Sequence, residues 1–183
     1  MNSDYWIRIT QNQNSQGEDR CLIRYTRNLM AKTLPTTELT LEHFLRSLVF
    51  RFRHATANAP QSFGDFEAAE GVRSPRKIVQ HMSGLLGFTL SELVGDPRTR
   101  LEPLDWNGEL SRFINIAKRL SNQLQTNVEV QGEVELDQLL RGPMIDTMTH
   151  IGQLALLRRL AGSPVEAVNY WKADMPALMM AKD

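Results

Sequence analysis

Residues 143–157 read PMIDTMTHIGQLALL, and within this stretch only Asp146 and His150 can carry a charge. The stretch is apolar nearly all round, which predicts a helix that is buried rather than lying on the surface. A buried carboxylate is costly unless it is paired or bound to a metal ion. Because Asp146 and His150 are four residues apart, they lie on one helical face, about 40° apart. Such a pair can hold a metal ion together with a third ligand from another helix.

Apolar side chains recur at helical spacing in three further segments of the chain. Ser74 and Pro75 suit the start of one of them, because serine caps helices well and proline is tolerated at the first helical position. We recognise no strand in this part of the chain, so the pattern predicts an all-α fold, a four-helix bundle with at least one crossover connection. The four predicted helices cover about residues 39–57, 75–95, 105–125 and 143–160.

The two ends of the chain show weaker patterns. Residues 1–38 contain two short apolar runs around a polar loop, which suit a hairpin or a helix equally well. We treat them as an N-terminal appendage of undecided structure. Residues 39–183 are predicted to form the bundle, with a short helical turn before its fourth helix. A tail helix over residues 165–172 is expected to pack Tyr170 or Trp171 onto the bundle.

Charge and cysteine content exclude several classes of protein. The 21 Lys and Arg residues are balanced by 21 Asp and Glu residues. Because nucleic-acid binding usually requires a basic surplus, no nucleic-acid partner is expected. Cys21 is the single cysteine, which excludes an intrachain disulfide and suits a reducing compartment. The first residues lack the layout of a signal peptide, and no apolar run reaches the roughly 18 residues of a membrane span. We therefore expect a cytoplasmic protein without a membrane partner.

His81 in the second helix is the candidate third ligand. Its position on the helical wheel lies on the side of the apolar stripe, so it is expected to face the core. In helical bundles, metal ligands are inward-pointing side chains on facing helices. His81, Asp146 and His150 would form a set of two histidines and one carboxylate, which leaves open positions for water or substrate.

Gln153 belongs near this group, because it follows His150 by three residues on the side of Asp146. It is expected to orient a ligand or to hydrogen-bond a substrate or metal-bound water. The alternative interpretation has no metal: Asp146 and His150 form a buried hydrogen bond, and His81 is an ordinary core histidine.

Two motifs carry a resemblance to a known family. Residues 74–82 (SPRKIVQHM) resemble the second-helix signature of the DinB/YfiT-like family, in which a helix that starts near Ser/Thr-Pro carries a metal-binding histidine. Residues 149–162 (THIGQLALLRRLAG) resemble its fourth-helix signature of His, Gly-Gln, Leu-Arg and Gly. The motifs occur in the family's order, about seventy residues apart, and the resemblance spans about residues 39–171.

The resemblance implies a bundle with up-down-down-up topology that often forms a homodimer. It also implies a metal site made from His81 and from a pair of residues four apart on the fourth helix. Family activities include transfer and isomerisation with low-molecular-weight thiols such as bacillithiol or mycothiol, and many members are described as metal-dependent hydrolases. The protein is therefore expected to act on a small-molecule substrate through metal-activated water or thiolate.

The chain departs from the common family pattern at Asp146, where most members have histidine. Aspartate still binds zinc, nickel, manganese or iron, so the expected cofactor is one of these divalent metals. The exchange lowers the net charge of the site by one and favours harder metals. The alternative is a lapsed metal site in a non-catalytic bundle that binds a ligand or partner. No general base or other catalytic residue is assigned.

Overall fold

The structure of the protein, a computed structural model, describes residues 37–126 and 135–174. Within these residues it is all-helical and contains no strand, which confirms the predicted fold class. Three long helices are followed by a fourth that continues through a wider π-helical turn. The helices are α1 (Thr37–Thr56), α2 (Pro75–Val94), α3 (Trp106–Gln125) and α4, which comprises Leu136–Leu139, the π turn Leu140–Met144 and Ile145–Leu160.

The connection between α2 and α3 is a crossover, and the sequence predicted at least one such connection. It runs back along α2, since Gln80 Nε2 donates to the Leu101 carbonyl oxygen at 2.9 Å and Arg76 Nη1 donates to that of Leu104 at 3.4 Å. As a result α3 begins beside the start of α2, and the two helices run parallel.

Contacts of α1 show how α3 and α4 run relative to it. Glu42, near the start of α1, accepts hydrogen bonds from Ser121 and Gln125 at the end of α3, so α1 and α3 are antiparallel. Arg158, near the end of α4, donates to the Ala55 carbonyl oxygen at the end of α1, so α1 and α4 are parallel. Together these contacts describe the up-down-down-up order.

Buried apolar side chains from all four helices form one core. Phe52 of α1 lies against Phe113 of α3, with ring centroids 4.1 Å apart. Trp106, the first residue of α3, packs edge-on against Phe63 of the short 3-10 helix Gln61–Asp65. Because burial of a large apolar side chain contributes roughly 1.5–3 kcal/mol, this core fixes the helices that carry the candidate site.

The fourth helix begins earlier than predicted. It starts at Leu136, after a capping box formed by the side chains of Glu135 and Gln138, and Pro143 lies inside it within the π turn. Proline has no N–H to donate, and its ring collides with a carbonyl in a regular α-helix. The π turn accommodates this defect, and the Thr147 hydroxyl donates to the Pro143 carbonyl oxygen at 2.7 Å. The short helical turn and the fourth helix are therefore one element.

The predicted tail helix over residues 165–172 is wrong. Gly162 has a left-handed φ of 70° after the end of α4. Residues 163–169 have no regular secondary structure, and residues 170–172 form a turn. A helix of about eight residues is marginal in water unless a strong apolar face packs onto the fold, and this segment lacks one.

One of the two aromatic residues of this segment packs onto the bundle. The Tyr170 ring lies edge-on to Phe50 of α1, with centroids 6.0 Å apart, and the Arg51 guanidinium lies 3.8 Å from the Tyr170 ring centroid. Trp171 is 93% exposed.

The predicted N-terminal appendage, residues 1–38, lies outside the described residues, apart from 37 and 38, which belong to α1. Among the helices that the structure describes, none is long and apolar enough to cross a membrane.

Candidate metal centre

Two helices bring the predicted ligands together. α4 carries Asp146 and His150 one turn apart, and α2, which packs against α4, carries His81. His81 Nε2 lies 3.7 Å from Asp146 Oδ2, and His150 Nε2 lies 3.5 Å from Asp146 Oδ1. One ligand atom from each residue lies within 4.8 Å of the others. This cluster can hold a metal ion, and it is the one such group of three within residues 37–126 and 135–174.

The two nitrogen–oxygen separations are compatible with metal ligation, and both also lie within the range of an ion pair. In a tetrahedral site with metal–ligand distances near 2.1 Å, ligand atoms lie about 3.4 Å apart. The two nitrogen–oxygen distances of 3.5 and 3.7 Å are close to this value, and both exceed the 2.7–3.2 Å of an N–H···O hydrogen bond. The buried Asp146–His150 hydrogen bond of the alternative interpretation is therefore not formed in this arrangement.

Gln153 orients the His150 ring. Its Oε1 lies 2.7 Å from His150 Nδ1. Because a side-chain amide oxygen only accepts hydrogen bonds, this contact assigns the ring proton to Nδ1 and leaves the Nε2 lone pair facing Asp146. Neutral imidazole in this tautomer is the form that ligates a metal through Nε2, and second-shell contacts of this kind are common for metal-binding histidines.

The cluster lies at the surface of the bundle rather than inside it. The side chain of His150 is 10% exposed, that of His81 37% and that of Asp146 48%. The expectation that the helix is buried all round is wrong, as is the expectation that His81 faces the core. The neighbouring helices cover one side of α4, and Leu156 and Leu160 are exposed on another side. The half-exposed carboxylate leaves the cluster open to small molecules from solvent.

Electrostatics favour the neutral form of His81. Burial lowers the pKa of His81, and the nearby His150 and Arg73 lower it further, while the Asp146 carboxylate partly offsets these effects. The His81 and His150 rings are edge-on, with centroids 4.8 Å apart, so two imidazolium charges at this distance would repel. A histidine that stays neutral is available as a ligand at lower pH than an ordinary one.

Two features near the site were not predicted from the sequence. Arg73 lies close enough to His81 to affect its charge state, and Lys77 precedes His81 by one turn of α2. The four-residue spacing of Lys77 and His81 was visible in the sequence, whereas the position of Arg73 depends on how the preceding segment enters α2.

Arg158, near the end of α4, is 3% exposed and donates to the carbonyl oxygens of Ala55, Ala57 and Ser163. Its hydrogen-bonding capacity is used within the fold.

Comparisons of the chain with protein-family models, curated proteins and solved structures find no match. The DinB/YfiT-like resemblance therefore stays a prediction that rests on the two motifs.

Proposed function

We propose that the protein binds a divalent metal through His81, Asp146 and His150 and acts as a metal-dependent hydrolase or thiol S-transferase. The convergence of these three side chains from two helices carries the proposal. Two histidines and one carboxylate leave coordination positions for water, a thiol or substrate. A metal bound there would lower the pKa of a coordinated water or thiol and so supply a nucleophile near neutral pH.

Each residue of the cluster would have a separate role in such a site. His81 and His150 present Nε2 atoms toward the same carboxylate, and Gln153 holds the ring of His150 in the required tautomer. Asp146 supplies the single negative charge among the ligands. Zinc, nickel, manganese and iron all accept this donor set, and the carboxylate favours the harder of them.

The DinB/YfiT-like interpretation is part of this proposal. It is supported by the order of the two motifs and by the parallel course of α2 and α3, which the up-down-down-up bundle requires. It extends the proposal to a low-molecular-weight thiol as cosubstrate and a small organic molecule as substrate.

Elemental analysis of the purified protein by inductively coupled plasma mass spectrometry tests the site directly. The full chain is compared with the His81→Ala/His150→Ala double variant, and with His43→Ala/His54→Ala as the matched control, since these are the other two histidines of the chain. We expect about one metal per chain in the wild type and in the control, and loss of at least about tenfold in the double variant. The metal found is then the one to use in hydrolysis and thiol-transfer assays.

The outcome also decides between the two functional classes. Equal metal content in the wild type and the His81→Ala/His150→Ala variant would refute the proposed ligand set. No metal in either protein, even after incubation with zinc, nickel, manganese and iron(II), would favour the non-catalytic bundle that binds a ligand or partner.

A further inference from the structure

Two exposed cations flank the candidate metal centre on the side of the α2 N-terminus. Lys77 precedes His81 by four residues on the same face of α2, which places the two Cβ atoms about 5–6 Å apart. Arg73 lies in the segment that leads into α2, directly before its N-cap Ser74. Both side chains belong to exposed residues.

Among the described residues these two cations have no acidic partner, unlike Arg76, the other basic residue near the start of α2. Arg76, one residue from Lys77, donates two hydrogen bonds to Asp65 and forms an ion pair with it at 2.7 Å. In the part of the chain that the structure describes, neither Arg73 nor Lys77 forms an ion pair with Asp or Glu. Their charges are therefore available to a ligand.

The start of α2 adds to the positive potential. Its first turn contains no acidic residue, and the Ser74 side chain makes no capping hydrogen bond. The first turn of α2 therefore supplies no anion of its own to the positive end of the helix dipole. Arg73 lies close enough to His81 for their charges to interact, which places Arg73 beside the ligand cluster.

The charge balance of a loaded site is incomplete without an additional anion. A divalent metal held by one carboxylate and two neutral histidines keeps one net positive charge, and Lys77 and Arg73 add two more. Like charges close together raise the electrostatic energy. A bound anionic group between the metal and the two side chains would offset this repulsion and would be fixed in orientation by them.

We infer that the substrate of this site carries an oxyanion group, a carboxylate or a phosphate, which binds between the metal centre and the side chains of Lys77 and Arg73. The inference rests on the proposed function, since the reacting part of the same molecule would lie at the metal. This inference restricts the proposed small-molecule substrates to anionic compounds.

Nuclear magnetic resonance titration of the full chain tests this inference with defined probes. Backbone amide shifts are followed on addition of acetate, inorganic phosphate or neutral acetamide, with metal-free and with zinc-loaded protein. The test variant is Arg73→Ala/Lys77→Ala. The matched control is Arg119→Ala, which removes an exposed cation of α3 from a groove that also includes Asp96, beyond the opposite end of α2.

We expect an oxyanion, but not acetamide, to shift the amides of residues 73–81. Its affinity should fall about tenfold in the double variant and stay unchanged in Arg119→Ala, and added salt should weaken it. Tighter binding of phosphate or of acetate identifies which oxyanion the site prefers. Equal oxyanion affinity in the wild type and the double variant, or an equal response to acetamide, would overturn the inference. Failure to take up metal while oxyanion binding persists would instead refute the proposed function alone.

Discussion

At the scale of single residues, the chemistry of the site depends on the charge state of His81. The imidazole must be neutral to ligate a metal, and its surroundings act in two directions. Burial, His150 and Arg73 favour the neutral form, whereas Asp146 favours the charged form. The balance lowers the pKa of His81 below its ordinary value of about 6.5.

We predict that Arg73→Ala raises the pKa of His81 in the metal-free protein, because it removes a positive charge that disfavours the imidazolium. Titration of the histidine ring signals by nuclear magnetic resonance measures the change. Arg159→Ala serves as the control, since Arg159 is exposed, donates to the Ala155 carbonyl oxygen of its own helix and lies more than two turns beyond His150. An unchanged pKa of His81 in Arg73→Ala would show that the guanidinium is too far away or too well solvated to act.

The same shift predicts how stability depends on pH. Since the pKa of His81 is lower in the folded state than in the unfolded chain, the unfolded chain binds the proton more tightly. The contribution of His81 to the free energy of unfolding is therefore complete above about pH 6.5. It is lost as the pH falls through the pKa that His81 has in the folded state. Protonation of His81 cannot occur in the His81→Gln variant. The decrease in the free energy of unfolding that it causes in acid should therefore be absent from that variant.

At the scale of elements, Arg158 joins the ends of α1 and α4. Its guanidinium donates to the Ala57 carbonyl oxygen at 2.9 Å and to that of Ser163 at 2.7 Å, and it lies 5.5 Å from the centroid of the Phe63 ring. The carbonyl groups that it satisfies follow the last turns of two helices, which leave such groups without partners. One buried side chain thus closes one end of the bundle.

We predict that Arg158→Ala lowers the free energy of unfolding by about 2–4 kcal/mol, because one buried and two partly buried carbonyl oxygens lose a charged donor. Chemical denaturation measures the change. Arg159→Ala, which removes the exposed neighbouring arginine, should change stability by less than about 0.5 kcal/mol. Similar values for the two variants would mean that water replaces the guanidinium at little cost.

At the scale of the whole molecule, α4 leaves an apolar stripe uncovered. Ile145, Leu156 and Leu160 are 46%, 53% and 58% exposed, and their spacing places them on one face of the helix. Gly152 lies on the same face, with open space where a Cβ would stand. A face of this kind suits close packing against another helix.

We predict that the protein forms a homodimer, as the family resemblance implies, with this stripe of α4 in the interface. Sedimentation velocity should show a dimer for the wild type and a folded monomer for Leu156→Glu/Leu160→Glu, because a carboxylate is costly to bury in an apolar contact. Leu104→Glu is the control, since Leu104 is an exposed apolar residue outside α4. A dimer that survives the double substitution would place the interface elsewhere.

The amino-acid sequence by itself determined the helices and much of the candidate site. Helical periodicity and caps are local properties, so α2 and α3 could be predicted from the apolar spacing and from residues such as Ser74 and Gly95. The relation of Asp146 to His150 and Gln153 is equally local, because the geometry of one helix sets it. His81 was predicted to join them because it lies on the apolar side of α2 in a bundle, although its side chain lies at the surface rather than in the core.

Only the tertiary structure decided what depends on distant parts of the chain. The exposed side of α4 exists because its neighbours cover one face and no described element covers the other. Arg158 is buried because α1 ends beside α4, about a hundred residues away in sequence. Arg73 reaches the charge environment of His81 through the path of the chain into α2. Such features arise from long-range packing, which apolar spacing along one segment does not encode.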